Sequence, residues 1–161
     1  MSTTTRHGSA TVELLNDTDV RIRRDFAAPK ELVFDAITSA EHVRHWFNGR
    51  GTPLSACEID LRVGGEYRFV DLMEGTEYSF HGTYLEVDRP NKTVETWVMD
   101  QLSDHDAVET CHFSERDGVT TLEIVLEFRT AEGRQAHLEL GLGEGVQGSF
   151  DGLEDYLGSL A

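Results

Sequence analysis

Between residues 20 and 26 apolar and polar side chains alternate, with Val20, Ile22 and Phe26 on one side and Arg21, Arg23 and Asp25 on the other. That is the period of a half-buried strand. Pro29 is then placed at the start of a helix, where its missing N–H costs nothing, and Leu32, Val33, Ala36 and Ile37 give the following turns an apolar stripe. Ser39 is read as the cap of a second short helix. Glu41 falls in its first turn, and Trp46 and Phe47 close it before the turn residues Asn48 and Gly49.

From about residue 55 to 129 the chain reads as strands separated by Gly, Asp, Asn and Pro, the pattern of an antiparallel meander. Its clearest strand spans 119 to 129, where Leu122, Ile124, Leu126 and Phe128 alternate with polar neighbours. The other strands carry their bulk on one face in the same way: Tyr67 and Phe69; Tyr78, Phe80 and Tyr84; Trp97 and Met99; Cys111 and Phe113. The inner face of the sheet is therefore expected to be aromatic. At the end the period changes to three and four, with Leu142, Val146, Phe150, Leu153, Leu157 and Leu160 on one helical face. Gly141, Gly143, Gly145, Gly148, Gly152 and Gly158 lie in or beside that helix, each costing about 1 kcal/mol relative to Ala in a helix interior. A glycine bend is therefore expected, separating residues 131 to 143 from the last helix. These elements predict an α+β domain: a curved antiparallel sheet of six or seven strands, two short helices after the first strand, and a long C-terminal helix. Residues 1 to 18 read as a disordered or loosely ordered N-terminal tail, and 19 to 161 as one domain.

Composition narrows the function classes. A chain of 161 residues, 39% hydrophobic and 27% charged, suits one globular core. Thirty acidic residues against 14 Lys and Arg leave a net charge of -16, which repels a phosphate backbone, so no nucleic-acid partner is expected. No apolar run exceeds three residues, which argues against membrane insertion or a secretory leader. Cys57 and Cys111 stand far apart in no CxxC pair and suit a reducing cytoplasm.

Little in the sequence announces catalysis. His42 and His45 are three apart on a predicted helix, a spacing that can face two imidazoles toward a metal, but no third ligand is visible and no metal is expected. Asp35, His81, His105 and His112 would serve only if the fold gathered them. Phosphate-loop, dinucleotide, nucleophile-elbow and zinc-protease motifs are absent, and no cofactor is expected. Glu95 is the exception: alternation puts its carboxyl on the face of Trp97 and Met99, either as a pocket acid or, with a slip at the strand end, in solvent. Tyr67, Tyr78 and Tyr84 are hydroxyl candidates of the same kind.

Several local motifs carry a resemblance. Asp60-Leu61-Arg62-Val63-Gly64-Gly65-Glu66-Tyr67-Arg68-Phe69 is similar to the D-x-R-x-G-G-x-[YF]-[RH] signature of the AHSA1-like group of the START/SRPBCC superfamily. Arg24-Asp25-Phe26-Ala27-Ala28-Pro29 and Leu32-Val33-Phe34-Asp35-Ala36 ahead of Trp46 resemble the group's opening strand and helix. Gly82 with Glu86, Val87 and Pro90 is similar to its next hairpin, and Gly145, Leu153, Tyr156 and Leu157 to its closing helix, although Val146 replaces an aromatic commonly found there. Gly64 and Gly65 suit a tight strand-to-strand bend, and Asp60 and Arg62 are expected to pair with each other or with that loop. The resemblance implies a helix-grip (START/Bet v 1-like) fold over about residues 19 to 160. It also implies a cavity for an apolar or aromatic small molecule between the sheet and the last helix. The expected lining is Trp46, Phe69, Tyr78, Phe80, Tyr84, Glu95, Trp97, Met99 and Phe113, with Leu142, Val146 and Phe150 from the helix. The alternative is a polyketide cyclase or aromatase, with Glu95 moving protons. A homodimer is compatible with the sequence. Interaction with a chaperone is implied by the group's name, but the chain has no room for the extra N-terminal domain such activators use.

Overall fold

The computed structural model describes the backbone of residues 3–7 and the whole of residues 10–160. Nine strands form one antiparallel sheet: β1 (Thr3–His7), β2 (Ala10–Leu14), β3 (Asp19–Phe26), β4 (Ala56–Ile59), β5 (Glu66–Met73), β6 (Thr76–Asp88), β7 (Lys92–Met99), β8 (Ala107–Arg116) and β9 (Val119–Phe128). Helices α1 (Lys30–Thr38) and α2 (Ala40–Trp46) follow β3, a short 3-10 turn spans Asp100–Leu102, and α3 (Ala131–Leu140) and α4 (Leu142–Leu160) end the chain.

The spatial order is β1-β2-β3-β9-β8-β7-β6-β5-β4. Strands β4 to β9 are thus a meander, and β3 joins it at β9 by pairing Asp19–Phe26 with residues 127 to 120. Because β3 and β4 sit far apart in this order, α1 and α2 must cross one face of the sheet to connect them, and α4 packs against both helices there. The core lies between that face and the helices.

The strand alternation is realised in β9, where Thr120, Leu122, Ile124, Leu126 and Phe128 are all buried. Two features depart from the sequence reading. The sheet has nine strands because two segments expected in a loose tail add to it: residues 3–7 pair with residues 10–14, which in turn pair with β3 in the register Thr11↔Arg23 to Leu14↔Val20 and bury Ala10 and Val12. The polar letters around this strand hide a two-residue apolar face that only β3 and α4 complete. Residues 1, 2, 8 and 9 of the expected tail lie outside the described residues. The second departure is at the helix starts: Pro29 is the N-cap of α1 rather than its first residue, and the Ser39 side chain makes no capping bond to α2.

The expected bend is present. Gly141 adopts φ 106°, a left-handed conformation that favours glycine, and divides α3 from α4. Thr130 caps α3 by accepting a hydrogen bond from the Gly133 N–H at 2.9 Å. The glycines of α4 also have a packing role. A Cβ on Gly152 would sit 2.8 Å from the Trp46 carbonyl, and one on Gly49 would sit 2.4 Å from that of Gly148, so α4 crosses the end of α2 backbone to backbone. The crossing is fastened by Ser149, whose hydroxyl donates to the Phe47 carbonyl at 2.5 Å. Phe150 then meets Phe26 edge-on at 5.7 Å, a burial worth roughly 1.5–3 kcal/mol. Arg24, only 3% exposed, reaches from β3 to Asp151 (2.8 Å) and Glu154 (3.4 Å) on α4.

Candidate functional site

Strands β7 and β8 pair so that Glu95 lies directly opposite Glu109, with Thr93 opposite Cys111 beside them. Inward-facing positions recur every second residue, so Thr93, Glu95 and Trp97 of one strand and Ala107, Glu109, Cys111 and Phe113 of the other share the helix-covered face. A bulge at Leu85 shifts the pairing of β6 with β7, and Tyr84 comes to rest opposite Glu95. Two carboxyls, a thiol and two tyrosine rings are thereby gathered on an otherwise apolar surface. Glu95 is 5% exposed and points inward, which resolves the choice between pocket acid and strand-end slip.

This group borders a small, partly open pocket of about 90 Å³. The sheet supplies Tyr67, Phe69, Tyr84, Thr93, Glu95, Glu109, Cys111, Leu122 and Ile124; Ile37 and Thr38 of α1, Phe47 beyond α2 and Phe150 of α4 complete it. No Lys, Arg or His is among the lining residues. A carboxylate oxygen of each glutamate and the Cys111 Sγ all lie within 4.8 Å of one another. Cys111 Sγ is 3.6 Å from Glu95 Oε2, while Glu95 Oε1 is buried and without a hydrogen-bond partner.

The electrostatics follow from burial without a counter-charge. Desolvation pushes the carboxyl of Glu95 above its ordinary range, and that of Glu109 further, because the Glu95 charge adds to the cost. Burial likewise holds the Cys111 thiol protonated, with both glutamates reinforcing it. Tyr67 and Tyr84 are raised by burial and then by the same two acids. Tyr67 is already committed, donating its hydroxyl to the Thr96 carbonyl at 2.7 Å. The site is therefore a proton-holding, polar part of an apolar chamber.

A second, wider hollow of about 510 Å³ lies open to solvent around the D-x-R-x-G-G segment. Gly64 has φ 86°, and a Cβ on Gly65 would lie 2.0 Å from the Asp60 carbonyl, so both glycines are required by the bend. Arg62 donates to Asp60 at 2.9 Å, which is the pairing expected for these two residues. The family described as "Activator of Hsp90 ATPase homolog 1-like protein" matches residues 27–158.

The chain belongs to that family. Among solved structures, this member of the Activator of Hsp90 ATPase homolog 1-like family is similar to a Rhodobacter sphaeroides protein (TM-score 0.85, 23% identity, 94% of this chain and 99% of that one). It is also similar to a Nitrosomonas europaea protein (TM-score 0.80, 24% identity, 91% and 97%) and a Mycobacterium smegmatis protein (TM-score 0.80, 20% identity, 96% and 97%). At these identities the likeness establishes the helix-grip fold alone. No curated protein matches the chain.

Within this family member the structure gathers only some of the expected lining. Phe69, Tyr84, Glu95 and Phe150 border the cavity. Trp46 is buried elsewhere, its indole N–H donating to the Ala36 carbonyl at 2.9 Å. Phe113 packs on Phe34 at 5.1 Å, and Phe80 stacks on Trp97 at 5.9 Å, a second aromatic group that continues to Phe128 and His137. Met99 sits opposite Phe80 at the far end of β7, and Tyr78 is half-buried further along β6. Leu142 and Val146 pack against the core without lining the cavity. The difference lies in what each ring meets: Phe80 and Trp97 stack half-buried on each other and on Phe47, Phe128 and His137, whereas Phe69, Tyr84 and Phe150 face the space beside the acids. Sequence reasoning missed Glu109, although it shares the parity of Cys111 and Phe113, and it missed Phe47, Ile37 and Thr38, whose placement depends on how the helices cross the sheet. Among the described residues the paired histidines join no cluster of metal-ligating groups: His42 Nδ1 contacts the Tyr156 hydroxyl at 2.5 Å and His45 stacks on the same ring.

Proposed function

We propose that the domain binds a small apolar or aromatic molecule in the chamber beneath α4, with a hydrogen-bond donor of that molecule held by Glu95 and Glu109. The observation that carries this reading is the lining: apolar and aromatic walls with a few polar groups among them, the usual composition of a small-molecule site. Its size sets the class of occupant. A volume of about 90 Å³ is well below the roughly 300–1,000 Å³ of drug-sized sites, so the resting chamber takes a fragment of a few heavy atoms. Anything larger requires Phe47 or Phe150 to move. The glycine-rich α4 supports such movement, having low intrinsic helix stability.

Native mass spectrometry and NMR titration with phenol, aniline and benzene test this. Phe150→Leu, which enlarges the chamber, should raise fragment occupancy several-fold, and Glu95→Gln should weaken phenol and aniline while leaving benzene nearly unchanged. If neither wild type nor Phe150→Leu takes up any fragment, the chamber is only a packing defect.

The facing acids favour a second reading as a proton-transfer site, since a pair of carboxyls with unequal raised pKa values can hold and release one proton. A cyclase-like activity would be abolished by Glu95→Gln with binding retained. Two free thiols, Cys57 and Cys111, support residence in a reducing compartment such as the cytoplasm. The chaperone role in the family description has no matching feature in the described site, and a chaperone ATPase assay with this protein tests it directly.

A further inference from the structure

We propose that Glu95, Glu109 and Cys111 form a binding site for a thiophilic divalent cation of the zinc class at the polar end of the chamber. Three side chains from two adjacent strands present one oxygen, one oxygen and one sulfur within 4.8 Å of one another. Zinc takes sulfur at about 2.3 Å and carboxylate oxygen at about 2.0–2.2 Å, which across a tetrahedral angle separates the two donors by about 3.5 Å. Cys111 Sγ and Glu95 Oε2 already stand 3.6 Å apart. The other donor separations lie within 4.8 Å, and the register that sets Glu95 opposite Glu109, with Cys111 two residues along β8, leaves side-chain rotation to close them.

An independent observation points to a ligand. Glu95 is 5% exposed, its Oε1 has no donor apart from the facing carboxyl of Glu109, and that carboxyl can donate only while it holds a proton. Buried acceptors in native proteins are normally satisfied, and no cationic side chain lines the chamber to satisfy this one. A divalent ion takes the place of the shared carboxyl proton and the thiol proton, supplying the electron-pair acceptor and the positive charge that the ionised groups then need. Three protein ligands leave a fourth position directed into the chamber, whose 90 Å³ has room for water ligands of about 30 Å³ each. On binding, the Cys111 thiol proton and any proton held between the carboxyls pass to solvent as the metal–sulfur and metal–oxygen bonds form; no oxidant or reductant is involved. The inference does not rest on the small-molecule reading, since it concerns the metal alone.

The test is a Co²⁺ titration of the full chain after chelator treatment. One equivalent should generate a sulfur-to-cobalt charge-transfer absorption with visible bands of tetrahedral intensity. Zn²⁺ should displace them, and zinc analysis after desalting should return about one ion per chain. Cys111→Ser should remove the charge-transfer absorption, Glu95→Gln should weaken Zn²⁺ at least about tenfold, and Cys57→Ser should change neither. Absence of the charge-transfer absorption in the wild type overturns the proposal without reference to any variant's folding, as does its loss in Cys57→Ser but not Cys111→Ser. Fragment uptake measured without metal reports separately on the chamber.

Discussion

His137 lies between Trp97 and Phe128, with ring centroids 4.8 and 5.0 Å away, and its Nε2–H donates to the His105 carbonyl at 2.9 Å. It is the polar anchor of α3, and burial pushes its pKa below the ordinary value. A histidine that is harder to protonate in the folded state than in the unfolded state favours folding while it stays neutral. Its contribution is therefore complete above the unfolded value of about 6.5 and is lost as the pH falls through the lowered folded value. The melting temperature should drop, and Trp97 fluorescence should change, as the pH is taken below about 6.5, with both responses flattened in His137→Gln. Parallel profiles for wild type and variant would remove His137 from the account. At this scale the sequence was legible in part: Glu95 followed from parity alone, and Glu109 carried the same signal, but that the two acids face each other depends on strand register. Register is a long-range property that no local pattern encodes.

For α4 the decisive question is which glycines are tolerated and which are needed. Helix propensity treats them alike, at about 1 kcal/mol each against Ala. Packing separates them. A Cβ on Gly145 meets nothing within 4 Å, whereas a Cβ on Gly152 meets the Trp46 carbonyl at 2.8 Å and Gly49 Cα at 3.0 Å. Gly145→Ala should therefore stabilise the protein by about 0.5–1 kcal/mol. Gly152→Ala should destabilise it by about 1–3 kcal/mol, because backbone on backbone cannot yield as a side chain would. Thermal or urea unfolding of the two variants reads this directly, and equal shifts of the same sign would refute the close crossing of α4 over α2. The bend was legible in the cluster of glycines around residue 141, where Gly141 takes the left-handed φ that favours glycine, although α4 then runs on through five further glycines. The crossing was not, since its partners Trp46 and Gly49 lie about a hundred residues away.

Taken whole, the molecule is a sheet whose two ends are finished differently. At the β3 edge, the hairpin of β1 and β2 extends the pairing, with Val12 opposite Ile22 and 4% exposed. The Ala10 N–H reaches Gln147 Oε1 on α4 at 3.3 Å. If this hairpin is part of the core, Val12→Asp buries an unpaired charge, costs several kcal/mol and leaves the β3 edge open to pairing with other chains. A lowered melting temperature together with larger species on gel filtration is expected. A change within about 0.5 kcal/mol would mean that the segment behaves as loose surface.

By itself the sequence determined the order of elements, the inward faces of the meander, the glycine bend and the bend-forming role of Gly64 and Gly65. All of these are read from neighbours within a few residues: alternation, helical period, turn chemistry. Only the tertiary structure decided that residues 10–14 join the sheet, that Phe113 fills core and Trp97 and Phe80 stack half-buried against it while Phe69, Tyr84 and Phe150 border a chamber, and that Glu109 and Cys111 meet Glu95. An aromatic side chain pointing inward looks the same in the sequence whether it meets other rings or empty space. Sheet curvature and the line along which α4 crosses it set that distance, and both arise from contacts between residues remote along the chain.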